Sequence, residues 1–187
     1  MSIRTWKAML LGLSFFCCTS VFAATLTVDV TGVPSNDVFG APGNSVLTFN
    51  VGANTAITSI TYDVRLTARP PSFLSEISLA LTDSSESAGG FFVAGGDDDF
   101  SGTASYAGVL DLVASGGAFS VGSDGILRLE FFDQFKDLPS GVPDGIWNSG
   151  TLVFGLQEQS VPEPATGLLI GAGLIGLGCF SRRRRHA

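Results

Sequence analysis

Between Thr58 and Thr67 every second residue is large and apolar, Ile60, Tyr62, Val64 and Leu66, and the residues between them are Ser, Thr, Asp and Arg. A period of two keeps one apolar face on an extended strand and scatters the same residues around a helix, so this run predicts a half-buried strand. The pattern recurs in Thr25 to Thr31 (Leu26, Val28, Val30), at Ile77, Leu79 and Leu81, at Leu127, Leu129 and Phe131, and at Leu152, Phe154 and Leu156. Weaker strands are expected at Ser45 to Val51, Gly90 to Ala94 and Ser105 to Val113, about eight in all. Turn clusters separate them: Gly32 to Asn44, Arg69-Pro70-Pro71-Ser72, Asp83 to Gly90, Gly95 to Gly102, Ser115-Gly116-Gly117, Gly122 to Gly125 and Leu138 to Gly145. Short strands at this spacing, with no long 3.6-period stretch, predict an all-β chain: a single antiparallel β-sandwich or jelly roll, with no internal repeat.

The two ends have a different character. Arg4 and Lys7 precede an apolar stretch from Ala8 to Phe16, and smaller residues follow up to Val21-Phe22-Ala23-Ala24. Charge, apolar core and small residues in that order predict a secretory signal peptide helix, cut between Ala23 and Ala24 by signal peptidase. Cys17-Cys18 does not make a lipoprotein box, because Phe15 and Phe16 stand where small residues are needed. An apolar core well short of the ~20 residues that span a bilayer argues against an uncleaved anchor. At the other end Val161-Pro162-Glu163-Pro164 leads into a Gly-rich apolar run, Ala165 to Phe180, and then Arg182-Arg183-Arg184-Arg185. Sixteen residues reach about 24 Å as a helix, slightly less than the ~30 Å hydrocarbon core, and four arginines do not readily cross. The expected organisation is signal peptide 1–23, β-sandwich 24–156, linker with the Pro-Glu-Pro motif 157–164, transmembrane helix 165–181 and cytoplasmic basic tail 182–187. The sandwich would then stand on the periplasmic side of the inner membrane.

Charge and cysteine content narrow the chemistry of the middle. Arg65, Arg69, Arg128 and Lys136 are its only bases, so the exported region is more acidic than the whole-chain net charge of −7. Such a surface repels phosphate backbones and excludes nucleic acid as a partner. Cys17, Cys18 and Cys179 lie in the terminal segments and the one histidine is His186. A region without His or Cys has no Ser-His-Asp triad, no Cys-His nucleophile and none of the usual zinc or copper ligand sets.

What remains is modest. Asp97-Asp98-Asp99, framed by Gly95-Gly96 and Ser101-Gly102, is a candidate calcium loop, since calcium takes six to eight oxygen ligands, although the spacing is not that of an EF-hand. Glu76, Glu86, Asp111, Glu130 and Asp133 supply carboxylates for a glycosidase pair, but no spacing singles out two of them. Phe131, Phe132, Phe135 and Trp147 would serve either a carbohydrate-binding face or the core. Gly171-Ala172-Gly173-Leu174-Ile175-Gly176 matches G-x-G-x-x-G, yet it has neither the strand before it nor the acidic residue after it that dinucleotide binding needs. Gly167 to Gly171 fits the G-x-x-x-G helix-dimer pattern, in a segment where Gly is common anyway.

Pro162-Glu163-Pro164, the apolar run and the arginines together resemble the PEP-CTERM sorting signal of exported proteins in exopolysaccharide-producing Gram-negative bacteria. The resemblance covers about the last 27 residues. It implies that an exosortase, a membrane-embedded cysteine protease with a sortase-like role, recognises Pro162-Glu163-Pro164 and cuts near it. The alternative is a plain single-pass anchor with Pro-Glu-Pro as a stiff spacer. In the middle, Ile60 to Leu81, Leu129 to Phe135 and Pro143-Asp144-Gly145-Ile146-Trp147 look like parts of the P-domain-type jelly roll that accompanies subtilisin-like convertases. This chain departs from that pattern: it has no His at the strand turn, no protease domain, and Asn148-Ser149-Gly150 where the last strand should run on directly. The resemblance therefore implies fold alone.

The expected function is that of a non-catalytic exported protein of the cell surface or the exopolysaccharide (biofilm) matrix. It requires no cofactor and passes through the secretion machinery, signal peptidase, the inner membrane and exosortase. The alternative is a calcium- or carbohydrate-binding module of that matrix, with exopolysaccharide as partner.

Overall fold

The computed structural model describes residues 23–157, and there the alternating runs become ten strands. In chain order they are β1 (Ala23–Asp29), β2 (Val33–Ser35), β3 (Ser45–Asn50), β4 (Ala56–Ala68), β5 (Ile77–Asp83), β6 (Gly89–Phe92), β7 (Gly102–Asp111), β8 (Phe119–Ser120), β9 (Ile126–Asp133) and β10 (Gly145–Gln157). A 3-10 turn, Leu74–Glu76, enters β5, and a single helical turn, α1 (Leu112–Ser115), follows β7. The expected strand Ser105 to Val113 stops at Asp111 because its carboxylate accepts the N–H groups of Val113 and Ala114 and caps α1. The expected signal-peptide and transmembrane helices lie outside the described residues. Among the described residues no helix is long and apolar enough to cross a membrane.

The strands form two antiparallel sheets, β1-β10-β4-β7 with β2 beside β10 and β8 beside β4, and β3-β9-β5-β6. Apart from the two short strands, the pairs nest: β1 with β10, β3 with β9, β4 with β7, β5 with β6. The chain is thus one long hairpin rolled up and closed by the β10–β4 and β9–β5 ladders, which is the jelly roll. Inward residues of the two sheets meet in one core: Val28, Ile60, Val64, Leu66, Trp147, Leu152 and Phe154 against Ile77, Leu79, Leu81, Leu127, Leu129 and Phe131. Each such side chain contributes roughly 1.5–3 kcal/mol when fully buried, and with no cysteine in the domain this packing has to suffice.

Two irregularities keep the core in phase. Trp147 and Leu152 are an odd number of residues apart, so strict alternation would turn them to opposite faces. A bulge between Trp147 and Ser149 corrects the phase, and both are fully buried. Asn148-Ser149-Gly150, which the sequence suggested as a break before the last strand, is this bulge inside a continuous β10. A second shift opposite Gly155 and Leu156 lets Ile57 and Ile60 of β4 both face inward.

β1 begins, β4 begins and β10 finishes at one end of the sandwich, where Ala23 and Ala56 flank Gln157. At the far end, the segments after β4 (69–76), before β7 (93–101) and between β9 and β10 (134–144) meet. They are joined by Leu74 N–H to Phe100 O (3.0 Å), Gln134 N–H to Glu76 O (3.0 Å) and Arg69 N–H to Asp144 O (2.8 Å).

Candidate functional site

The end of the sandwich that holds Ala23 and Gln157 is set by β10. Its last residue pairs with Ala23, and Leu156 pairs with Ala24, so the expected signal-peptidase junction coincides with the first two rungs of the β1–β10 ladder. The segments before β1 and after β10 leave from neighbouring strands. Pro162 follows Gln157 by five residues. Val161 to Pro164 and Arg182 to Arg185 are outside the described residues. Residues 160–185 match the family described as the PEP-CTERM protein-sorting motif. The chain carries a PEP-CTERM sorting motif. The matched span takes in Pro162-Glu163-Pro164, the apolar run and all four arginines, and it implies export, membrane-associated sorting and an exosortase as processing partner. No curated protein matches the chain.

The far end holds the candidate calcium loop. The Tyr106 hydroxyl donates to Asp98 Oδ2 at 2.6 Å and the Ser75 hydroxyl to Asp99 Oδ1 at 2.6 Å, while Ser75 N–H donates to Asp98 O at 3.1 Å. Burial, and secondarily the Asp98 carboxylate, raise the Tyr106 pKa, so the phenol stays a donor. Two of the three aspartates therefore fasten this loop to β7 and to the segment before β5. Asp97 is exposed. Among the described residues no three His, Cys, Asp or Glu side chains are grouped to hold a metal ion.

Beside that loop lies a buried acidic cluster. Asp144 is fully buried and accepts from Lys136 Nζ (3.1 Å) and from the N–H groups of Asp137 (3.1 Å) and Leu138 (2.9 Å), which moulds the 134–144 segment around it. Asp133, also fully buried, has only long contacts, 3.4 Å to the Ser72 hydroxyl and 3.3 Å to Phe135 N–H. Ser72 sits closer to Glu76, at 3.0 Å. Burial pushes the Asp133 carboxyl up to about 7, the negative charges of Asp144 and Glu76 add to the rise, and its two hydrogen bonds oppose it. In the sequence Asp144 lies in the turn cluster Leu138 to Gly145 and Asp133 is one carboxylate among many. The only signal was position, since Asp133 continues the inward series Leu127, Leu129, Phe131.

The remaining carboxylates considered for a glycosidase pair are each engaged by neighbours. Glu130 is fully buried, pairs with Arg128 at 2.6 Å and accepts from Asn44 Nδ2 and Gly40 N–H, both at 2.7 Å. Burial alone would raise its pKa; the bonds from Asn44, Arg128 and Gly40 outweigh that, and the net shift is downward. Glu86 also pairs with Arg128 (3.5 Å), Glu76 accepts from Phe73 N–H (2.9 Å), and Asp111 caps α1.

The four aromatics separate. Phe131 and Trp147 meet edge to face in the core at 5.4 Å. Phe132 points outward but is covered by Phe39 and Phe91, at 5.6 and 5.1 Å. Phe135 alone of the four is open to solvent. They form no shared face.

Proposed function

We propose that this chain is a non-catalytic structural protein of the cell surface or exopolysaccharide matrix, delivered there by exosortase processing at Pro162-Glu163-Pro164. The observation that supports it most is the placement of the sorting motif, which begins within a few residues of the last strand of the sandwich. β10 is the middle of its sheet, yet a cut at Pro162 to Pro164 falls beyond its last rung and leaves every ladder intact. The domain is held by the apolar segment on the outer side of the inner membrane, with Arg182 to Arg185 inside, until the cut releases it. No histidine or cysteine is present between Ala24 and Gln157 to serve the commoner catalytic chemistries.

Substitution of Pro162-Glu163-Pro164 by three alanines tests this in the host. Fractionation followed by immunoblotting is expected to show the wild type outside the inner membrane at lower mass, and the variant retained there at full precursor mass. Identical mass and location for the two would exclude processing at this motif.

A further inference from the structure

Strand β7 is an unprotected edge. It spans ten residues, Gly102–Asp111, and pairs with β4 on one side in a register without a shift, from Ser59 opposite Asp111 to Ala68 opposite Gly102. Among the described residues no backbone hydrogen bond reaches its other side. Sheet edges are ordinarily shortened, bulged, or guarded by Pro or Lys, since an open row of N–H and C=O groups is a template for another strand. The competing edges here are shorter: β1 has seven residues, β3 six and β6 four, and β2 contains Pro34. β7 has no proline, no basic residue and one charge, Asp111, at its end.

The two most exposed large apolar side chains of the described domain, and a third close behind, lie along the same edge. Phe100 just before β7 is 73% exposed, Val109 within it 70%, and Val113 in α1 just after it 62%. Such side chains beside an open hydrogen-bonding row mark a contact surface. Their spacing selects the partner. A second β7 running antiparallel and keeping inward residues inward is centred on Tyr106 or on Ala107. The first register sets Val109 opposite Thr103 and Phe100 level with Leu112 of the other copy. The second sets Val109 opposite Ser105 and Phe100 level with Ala114. Either puts the Phe100 end of each β7 at the α1 end of the other, where Val113 is, and neither places Asp111 opposite a charge. The described domain has fifteen acidic and four basic residues, so a nearly neutral strip is also where two copies repel least.

We propose that two copies of this chain associate through their β7 edges, joining their larger sheets into one sheet across a two-fold axis. The full chain, expressed in its host with Cys17, Cys18 and Cys179 replaced by Ser, has no other thiol, so an introduced cysteine reports the contact directly. Ala107→Cys covers the register centred on Ala107, and Ser105→Cys with Ala107→Cys covers the other; at least one should give a disulfide-linked dimer on a non-reducing gel, while Thr27→Cys on β1 should not. In sedimentation of the purified protein with otherwise native sequence, Ala107→Lys or Val109→Lys should weaken dimerisation at least 100-fold with the far-UV CD spectrum unchanged. Wild-type protein that sediments as a monomer at every concentration reached, a dimer that persists in both lysine variants, or cross-linking through Thr27→Cys instead would overturn the proposal.

Discussion

Asp133 shows how little of a residue's chemistry its identity fixes. On the surface it would be an ordinary carboxylate; at the inward end of β9, with Glu76 and Asp144 near and only long bonds to Ser72 and Phe135, its pKa rises to about 7. The unfolded chain ionises such a group near pH 4, whereas the fold holds the proton until about pH 7. Folding therefore takes up a proton across that window, and stability falls as pH rises from about 4 to 7 and is level above it. Asp133→Asn keeps a neutral group there, so thermal melts are expected to show a smaller decline in Tm between pH 5 and pH 8 than in the wild type. Equal slopes for the two proteins would show that Asp133 ionises normally in the fold.

At the scale of elements, alternation located the strong strands because one face of each meets the core and the other meets water. Its failures are local. β10 is longer than Leu152 to Leu156 because a bulge at Asn148 hides the continuity of period, and a bulge looks like a loop until its partner strand is known. β2 and β8 have three and two residues, too few to carry a period. Asp133 and Asp144 were visible as residues, but their burial depends on three loops that only the rolled-up topology brings together. The bulge carries its own prediction. Gly150 sits at φ +123, and a Cβ there would run into the Asp63 carbonyl and Val64 Cα of β4. Backbone strain and a main-chain clash together should make Gly150→Ala cost roughly 2–4 kcal/mol, read from urea denaturation of the purified protein. A loss below 0.5 kcal/mol would show that β10 rearranges freely around the bulge.

For the whole molecule, the nested hairpin explains the relation between fold and sorting. The first and last strands are neighbours, so both terminal segments leave one end, and Asp133 at the end of β9 and the loops carrying Asp97 to Asp99 and Asp144 occupy the other. The described sheets end with β10 at Gln157, and every strand in them comes from residues 23–157. Removal of the sorting segment should therefore leave the Tm of the sandwich within about 2 °C of that of the unprocessed chain in detergent. A larger drop would mean that residues beyond Gln157 help hold the core. The sorting motif was legible in the sequence, since Pro162-Glu163-Pro164, an apolar run and four arginines form a linear pattern within the matched residues 160–185; the partners of the domain depend on surfaces that only the fold assembles.

The most direct measurement is the mass of the mature C-terminus of the exported protein, from hosts with and without the exosortase. Processing at the motif predicts a chain that retains Gln157, ends close to Pro162-Glu163-Pro164 and lacks Arg182 to Arg185 in the normal host, with the whole tail present when the protease is absent. Arg182 to Arg185 still attached to the surface protein in the normal host would contradict it and leave the apolar segment as a plain membrane anchor.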